Sequence, residues 1–256
     1  MTKILGGKAY GSIPHLLGSR MGAGDHHVHE GQHRILTERC RKREYVEVQE
    51  KLDGSCVAVA RVGDDIHALG RAGHLARSSP YEQHRLFAGW VDLRRDRFLD
   101  VLNDGERLIG EWLAQAHGTR YELPHEPFVV FDLLRDGHKR MSLARLNARL
   151  GGLFVQPRLI HRGAAIAIGR ILELLEPSGH GALDPVEGAV WRLNEQASEG
   201  DTLTFIAKYV RPDKQDGSYL PDLTNQPPIW NWRPERTDWL LDYGQGTTPQ
   251  TVDKVG

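Results

Sequence analysis

The sequence predicts an α+β fold, because segments typical of strands and of helices follow one another along most of its 256 residues. Two β-branched segments, residues 45–49 and 56–60, flank Asp53-Gly54 and predict two strands that meet at a hairpin turn. A helix is predicted over residues 79–102, where a serine and a proline precede apolar residues at helical spacing. Both kinds of element therefore occur within one stretch of chain.

The remaining elements follow from the same signals. Apolar and β-branched segments predict strands at residues 65–70, 107–113, 128–134, 186–192 and 203–209. Shorter helices are predicted at residues 36–43, 142–150 and 165–176.

Length and composition predict one domain with a short appendage. Residues 1–35 are expected to be a Gly- and His-rich loop segment of that domain, residues 36–215 its body, and residues 216–256 a short Pro- and Trp-rich tail. The tryptophans of the tail are expected to pack onto the body, with stacking on bases as the alternative.

Composition excludes several classes of protein. Hydrophobic residues make up 39% and charged residues 26% of the chain, as in an ordinary globular protein. The formal net charge of -1 gives no global attraction to nucleic acid, so any such binding needs a local basic face. No apolar run approaches the roughly 20 residues that span a bilayer, and no signal-peptide core is present. Two cysteines, Cys40 and Cys56, form no disulfide framework, and we expect a reducing, cytoplasmic setting.

The histidine-rich segment Asp25–Glu30 has the residue types of a metal site. Adjacent histidines point in different directions, so a structured polar loop is the favoured reading and a metal site the alternative. A third option is contact between a nucleic-acid phosphate and Ser19, Arg20 and the histidines.

A lysine stands at the end of the first predicted strand, in the sequence Glu50-Lys51-Leu52-Asp53-Gly54-Ser55. A lysine amine attacks a phosphate only in its neutral form, and a free lysine has a pKa near ~10.4. A nucleophilic lysine therefore needs nearby cations or partial desolvation to lower its pKa. The alternative is a hairpin with a solvated lysine at its mouth.

The hexapeptide resembles the Lys-x-Asp-Gly nucleophile motif of covalent nucleotidyltransferases, which comprise ATP-dependent RNA and DNA ligases and mRNA capping enzymes. Further matches to this family follow in the family's order. They are Arg71 at a strand end, Gly110-Glu111, Phe131 on a core strand, Glu187-Gly188 and Lys208 near the end of the closing strand. Ser55 and Gly110-Glu111-Trp112 are most similar to ATP-dependent RNA ligases of the phage RNA ligase 2 and RNA-editing type.

The resemblance implies the fold in more detail. It is an ATP-grasp-like nucleotidyltransferase domain over residues 36–215, with two antiparallel β-sheets flanked by helices around an ATP groove. Residues 216–256 are too few and too Pro-rich for the C-terminal OB barrel on which DNA ligases and capping enzymes rely.

The resemblance also implies a role for each matched position. The catalytic residues would be Lys51, Lys208 and Arg71. The residues in contact with ATP would be Glu50, Leu52, Gly54, Ser55, Arg71, Glu111, Phe131, Glu187 and Lys208. Asp53 and Glu187 would hold Mg²⁺, or Mn²⁺ in its place.

These roles have physical reasons. Phe131 would stack on the adenine and Glu111 would accept hydrogen bonds from the ribose hydroxyls. Arg71 and Lys208 would neutralise the phosphates, and their field would lower the pKa of Lys51. Gly54 would let the chain turn and leave room for the ribose. Taken singly, the aromatic could belong to the core and the charged residues to ordinary ion pairs.

Two positions depart from the family's pattern. Cys56 stands where many RNA ligases have an asparagine, and Val210 stands where many have a second lysine. Arg211 or Lys214 could replace that second lysine, or Lys208 could act alone.

The implied activity is ATP-dependent RNA ligation through a lysyl-AMP intermediate. Its partner would be RNA, or another polynucleotide, with 5′-phosphate and 3′-hydroxyl ends. We expect no membrane association and no obligate protein partner. The alternatives are a DNA ligase, a guanylyltransferase, a nucleic-acid-binding module without catalysis, and a metal-binding protein that uses Asp25–Glu30.

Overall fold

A computed structural model describes residues 3–135, 139–196 and 202–234. The strands are β1 (Glu44–Lys51), β2 (Ser55–Val62), β3 (Asp65–Gly70), β4 (Arg107–Trp112), β5 (Phe128–Arg135), β6 (Lys139–Arg140), β7 (Leu159–Gly163), β8 (Gly188–Glu195) and β9 (Thr202–Val210). The α-helices are α1 (Glu30–Thr37), α2 (Glu82–Asp92), α3 (Arg95–Val101), α4 (Leu143–Leu150), α5 (Ile168–Leu172) and α6 (Pro221–Thr224).

The strands form two antiparallel sheets, with orders β7-β1-β8-β9 and β3-β2-β4-β5-β6. Helices pack on both sheets, which confirms the predicted α+β class with two antiparallel sheets flanked by helices. After β9 the structure describes residues 211–234, and these contain α6 but no strand. Among the described residues, no helix is both long enough and apolar enough to cross a membrane.

Each sheet buries one face in its own apolar core. The five-stranded sheet packs on α2, α3 and α4 through a cluster that includes Phe87, Trp90 and Phe98. The four-stranded sheet packs on α1 and α5 through Leu36 and Ile171. Full burial of one such side chain contributes about 1.5–3 kcal/mol, so each cluster stabilises the packing of its sheet on its helices.

The predicted hairpin at Asp53-Gly54 is wrong. β1 pairs with β7 and β8, whereas β2 pairs with β3 and β4, so the chain crosses from one sheet to the other between them. A Cβ atom on Gly54 would lie 2.6 Å from the backbone oxygen of Trp112. Glycine at this position therefore lets the crossing segment lie tightly against the end of β4.

Several helix predictions need correction. The helix predicted at 36–43 is α1, which lies earlier because His29 and Gln32 form a capping box at its N-terminus. The helix predicted over 79–102 is divided into α2 and α3, with Leu93 70% exposed at the junction. Just after it, the Arg94 guanidinium lies 4.4 Å from the centre of the Trp90 ring, which it covers.

The other predicted elements fare better. The helix predicted at residues 142–150 is α4, which begins after Ser142; the Ser142 hydroxyl accepts a hydrogen bond from the Arg145 amide. α5 covers only part of the helix predicted over 165–176, and β6, β7 and α6 were not predicted.

The tail packs onto the body where the structure describes it. Trp230 and Trp232 contact the core of the five-stranded sheet, and Trp232 meets Trp112 edge to face at 5.7 Å. This confirms the predicted packing for these two tryptophans, while Trp239 lies outside the described residues.

Candidate active site

A groove of about 840 Å³ lies between the two sheets, and we call it the central groove. Its volume is that of a site for a small organic molecule. Predicted site residues that line it are Glu50, Lys51, Leu52, Asp53, Gly54, Arg71, Glu111, Phe131, Glu187 and Lys208. Nearly all of the residues predicted from the sequence therefore converge on one space.

Lys51 lies at the end of β1, where the chain leaves the four-stranded sheet. Its Nζ atom donates a hydrogen bond to Glu187 Oε2 at 2.5 Å and another to the Leu52 carbonyl at 3.3 Å. β1 and β8 are paired so that Lys51 lies opposite Gly188, which brings the neighbouring Glu187 to the amine. The ladder between these two strands thus fixes the amine and the carboxylate together.

The electrostatics of this pair differ from the prediction. Burial favours the neutral amine, but the carboxylates of Glu187, Glu111 and Asp53 hold the pKa of Lys51 above its ordinary value. The prediction that cations lower this pKa is wrong for the protein alone, because the charges nearest to the amine are carboxylates. Burial also raises the pKa of Glu111 and of Glu187 to about 7.

The five-stranded sheet supplies the opposite wall of the groove. Glu111 on β4 accepts a hydrogen bond from the Gly54 amide at 3.1 Å and lies opposite Cys56 of β2. Phe131 on β5 is partly buried and meets Tyr10 edge to face at 5.5 Å. Arg71 follows β3 directly and donates to the Ser12 hydroxyl at 2.9 Å. This wall offers an aromatic ring, a carboxylate and a cation.

The N-terminal segment positions Lys208 at the other wall. The Lys208 amide donates to the Pro14 carbonyl, and its carbonyl accepts from the Leu16 amide, so this segment lies beside β9. Asp25 Oδ1 is 3.9 Å from Lys208 Nζ, and Asp25 Oδ2 is 3.0 Å from His15 Nε2. Burial, together with the charge of Lys51, lowers the pKa of Lys208. Two segments far apart in the chain therefore hold this ammonium in the groove.

Sequence reasoning missed a buried arginine on the wall of the central groove. Arg192 on β8 is 1% exposed and donates to Asp132 Oδ1 at 2.7 Å, to the Phe131 carbonyl at 2.6 Å and to Gln49 Oε1 at 3.1 Å. Its Nη1 atom is buried without a hydrogen-bond partner among the described residues. The alternation of β8 was the available signal, since Arg192 lies on the same side of the strand as Val190 and both line the groove.

Two predicted nucleotide contacts have other partners. The Glu50 carboxylate accepts hydrogen bonds from Ser178, Gly179 and Arg158, so it ties β1 to neighbouring loops. Ser55 does not line the central groove, because it faces the helical side of its sheet and donates to Gln83 at 2.9 Å.

Asp53 and Lys214 form a brace beside the groove. Asp53 Oδ2 accepts hydrogen bonds from the Gly118 amide at 3.0 Å and from the Thr119 hydroxyl at 3.1 Å, and Lys214 Nζ lies 3.8 Å away. Lys214 is buried and donates to three further oxygens at Gly118, Thr119 and Pro185. Lys214 and Arg211 do not line the groove. Neither side chain therefore replaces there the second lysine that many family members have at the position of Val210.

Metal-ligating side chains do not cluster in the described ranges. No group of three or more His, Cys, Asp or Glu residues in them could hold a metal ion, and this includes the segment Asp25–Glu30. Glu187 and Asp53 both line the groove, so any ion there would have to complete its ligand set with water or with the oxygens of a bound molecule.

Comparison with known structures and proteins adds independent findings. The chain is similar to a Naegleria gruberi RNA ligase solved with PPi, at 19% identity and a TM-score of 0.49 over 83% of this chain and 62% of that one. It is also similar to an archaeal ATP-dependent RNA ligase, at 20% identity and a TM-score of 0.42 over 66% and 43% of the two chains. The chain thus spans less than two thirds of these proteins. No curated protein matches it.

The family model described as RNA ligase matches residues 44–210. These residues begin at the first residue of β1 and end at the last residue of β9, so they include both sheets and the lysine that pairs with Glu187. Because more than half of the chain is matched, the chain belongs to the RNA ligase family.

Proposed function

We propose that the chain is an ATP-dependent RNA ligase that acts through a covalent lysyl-AMP intermediate. The observation that supports this most directly is the position of Lys51, which lies in a groove with Glu187, Glu111, Arg71 and Lys208, inside the span that matches the RNA ligase family. An amine, two carboxylates and two cations around one space suit attack on a nucleoside triphosphate.

In the first step, the neutral Nζ of Lys51 attacks the α-phosphorus of ATP. A P–N bond forms, the bond to the bridging oxygen breaks, and pyrophosphate leaves. The amine has to lose its proton first, and its ion pair with Glu187 opposes this loss. We propose that release of Lys51 from Glu187 accompanies nucleotide binding, while Lys208 and Arg71 neutralise the charge that develops on the phosphates.

The second and third steps return the lysine to its starting state. An oxygen of an RNA 5′-phosphate attacks the phosphorus of lysyl-AMP, the P–N bond breaks, and Lys51 regains a proton. The 3′-hydroxyl of a second end then attacks the 5′-phosphate, AMP leaves, and a phosphodiester bond joins the two ends.

The groove fits a purine nucleotide. Phe131 presents a partly buried ring, and the buried Nη1 of Arg192 is a donor without a partner among the described residues. A purine base offers both a surface to stack on the ring and nitrogen acceptors for that donor. Glu111 lies beside Gly54, where it can accept hydrogen bonds from the ribose hydroxyls.

The carboxylates fit a divalent cation bound largely through water and phosphate. Mg²⁺ usually takes one or two carboxylates and keeps several waters, which matches Glu187 with Asp53 better than a complete protein cage. When bound, Mg²⁺ or Mn²⁺ would supply positive charge to the phosphates. Asp53 already accepts two hydrogen bonds through Oδ2, so we assign the larger share of this role to Glu187.

The setting of the reaction is also a proposal. Both cysteines in the chain are unpaired, which supports a reducing, cytoplasmic compartment. We propose RNA ends as the sole macromolecular partner, with no obligate protein partner.

The test is the intact mass of the protein after incubation with ATP and Mg²⁺. We expect one added AMP on the parent chain, none on Lys51→Ala, and the parental result on Lys42→Ala, an exposed lysine before β1. Parallel incubations with GTP and NAD separate this proposal from a guanylyltransferase and from other nucleotide donors.

The outcomes divide cleanly. An adduct that persists on Lys51→Ala would remove Lys51 from the mechanism. The protein is first freed of bound AMP with pyrophosphate. If it then forms no adduct with any of the three nucleotides, the ligase proposal is contradicted and a binding module is favoured. Sealing of nicked RNA and nicked DNA duplexes, compared on adenylylated protein, then tests the preference for RNA.

A further inference from the structure

A second groove opens beside the central groove, and we call it the basic groove. Its described lining consists of Ser12, Ile13, Pro14, Arg135, Lys139, Arg140, Met141, Ser142, Arg145 and residues 202–206 of β9. Among its described residues this lining contains four cationic side chains and no Asp or Glu, in a chain whose formal net charge is -1. One of the four, Arg140, pairs with Asp132 at 3.3 Å, and the other three are Arg135, Lys139 and Arg145. The central groove differs, since four carboxylates and four Lys or Arg side chains line it.

The two grooves are continuous. Ile13 and Ile206 line both of them, and Arg71 of the central groove donates to Ser12 of the basic groove at 2.9 Å. Along β9, Thr204 precedes Lys208 by four residues, which is about 13 Å in an extended strand. A chain molecule whose end lies at Lys208 can therefore extend into the basic groove.

Taken alone, the strand pairing and the helix dipole at these positions disfavour positive charge. Arg135 and Lys139 lie directly opposite each other in the β5–β6 ladder, and like charges at paired positions destabilise a sheet. Arg145 lies in the first turn of α4, where the helix dipole disfavours a cation and where no acidic residue is present. Local rules are broken in this way chiefly at functional sites.

The groove also suits anions in its shape and exposure. Arg135, Lys139 and Arg145 are exposed, so water screens most of the repulsion between their charges. Hydroxyl groups of Ser12 and Thr202 line the same space and can donate to phosphate oxygens, whereas the Thr204 hydroxyl donates to the Leu193 carbonyl at 2.9 Å. Positive charge with hydroxyl donors along a groove is the pattern of binding to a sugar-phosphate backbone.

We propose that the basic groove binds the sugar-phosphate backbone of the RNA whose end is processed in the central groove. This inference rests on the proposed ligase function for the identity of the ligand. The backbone of the strand lies across Arg135, Lys139 and Arg145, and its terminal phosphate reaches Arg71 and Lys208.

The test compares two variants that lose the same charge. One is Arg135→Ala/Lys139→Ala/Arg145→Ala, and the matched control is Arg34→Ala/Arg41→Ala/Arg170→Ala, which removes three exposed arginines outside both grooves. Fluorescence anisotropy with a labelled, 5′-phosphorylated single-stranded RNA gives Kd over a series of salt concentrations.

We expect the groove variant to weaken Kd by about 10- to 100-fold at low salt. Its slope of log K against log salt should be shallower than that of the parent by about 2, since each phosphate contact on a single strand contributes roughly 0.7. The control should change both quantities far less. Arg135→Glu alone should weaken binding in the same direction, and it serves if the triple variant does not fold.

Equal losses in the groove variant and the control would overturn the proposal, and so would a parent chain that does not bind the RNA. Lysyl-AMP formation by the parent, measured on the same preparation, tests the ligase function separately. Binding that depends on the basic groove without lysyl-AMP would sustain this inference and reject the ligase. Lysyl-AMP with unchanged binding in the groove variant would do the reverse.

Discussion

The two sheets contribute different chemistry to the central groove. The four-stranded sheet and its ends provide Lys51, Glu187 and Lys208, which are charged groups within reach of one another. The five-stranded sheet provides Phe131 and Glu111, an aromatic face and a carboxylate suited to a nucleoside. In our proposal the first sheet supplies the nucleophile and most of the phosphate chemistry, with Arg71 at the end of β3 as an added cation. The second sheet supplies most of the contacts to the base and ribose, with Arg192 on β8 as an added donor.

This division explains why the chain crosses between the sheets immediately after Lys51. Leu52 to Gly54 connects the two layers, and the Gly54 amide donates to Glu111 on the opposite wall. The nucleophile and the nucleoside site are therefore joined by three residues, although their supporting ladders are separate. Substitutions on the two sheets should consequently affect different kinetic constants.

The largest separation is expected at Lys208. Lys208→Ala should slow lysyl-AMP formation by about 10²- to 10³-fold, because one preorganised cation at a developing phosphate charge is lost. The Kd for ATP should change much less. Single-turnover adenylylation over a range of ATP concentrations measures both constants.

Lys42→Ala is the matched control for Lys208→Ala, because it removes an exposed lysine outside both grooves. A Lys208→Ala variant that loses ATP affinity while it keeps its maximal rate would assign this lysine to binding and contradict the division between the sheets.

A smaller, opposite pattern is expected at Phe131. Phe131→Ala should weaken ATP binding by about 10-fold, since stacking of a base on an aromatic ring contributes roughly 1–3 kcal/mol. The maximal rate of adenylylation should stay within a few-fold of the parent. The same single-turnover titration is the measurement, and Phe131→Tyr should restore most of the affinity.

Phe154→Leu provides a control in the core of the same sheet, away from the central groove. If Phe131→Ala and Phe154→Leu change ATP affinity equally, Phe131 acts through packing rather than through contact with the base.

The fold was predictable from the sequence where the signals are local. The start of α4 at Ser142 is an example, because the Ser142 hydroxyl accepts a hydrogen bond from an amide only three residues away. The Asp53-Gly54 turn signal failed because the partners of β1 are β7 and β8, more than a hundred residues further along the chain. A dipeptide carries no information about such distant pairings.

The site shows the same limit. The motif order identified Lys51 and Glu187, whose contact joins residues 136 positions apart. It did not reveal that carboxylates surround the amine, nor that Tyr10 donates to Asp132 across 122 positions. Ser55 was misplaced because the crossing between sheets sets which side of β2 faces the groove, and Cys56 occupies that side. Residue types were readable, whereas orientation and charge balance depend on tertiary structure.

The smallest expected effect concerns stability and comes from Glu111. Its pKa is raised from 4.5 to about 7 by burial, so it stays protonated in the folded protein at pH values where the unfolded chain is ionised. The contribution of Glu111 to the free energy of unfolding is therefore most favourable below about pH 4.5. It declines as the pH rises from 4.5 through 7 and is least favourable above about pH 7. Glu111→Gln removes the titrating group and keeps an acceptor for the Gly54 amide.

Glu111→Gln should consequently raise the free energy of unfolding by about 1–3 kcal/mol near pH 8, with little change near pH 5. Urea unfolding at both pH values measures this, with exposed Glu195→Gln as the control. The same variant should bind ATP more weakly, since a ribose acceptor loses its charge. A higher free energy of unfolding together with weaker ATP binding would show that the Glu111 carboxylate serves nucleotide binding and destabilises the fold. Equal stability at both pH values would instead mean that its charge is already balanced by Lys51.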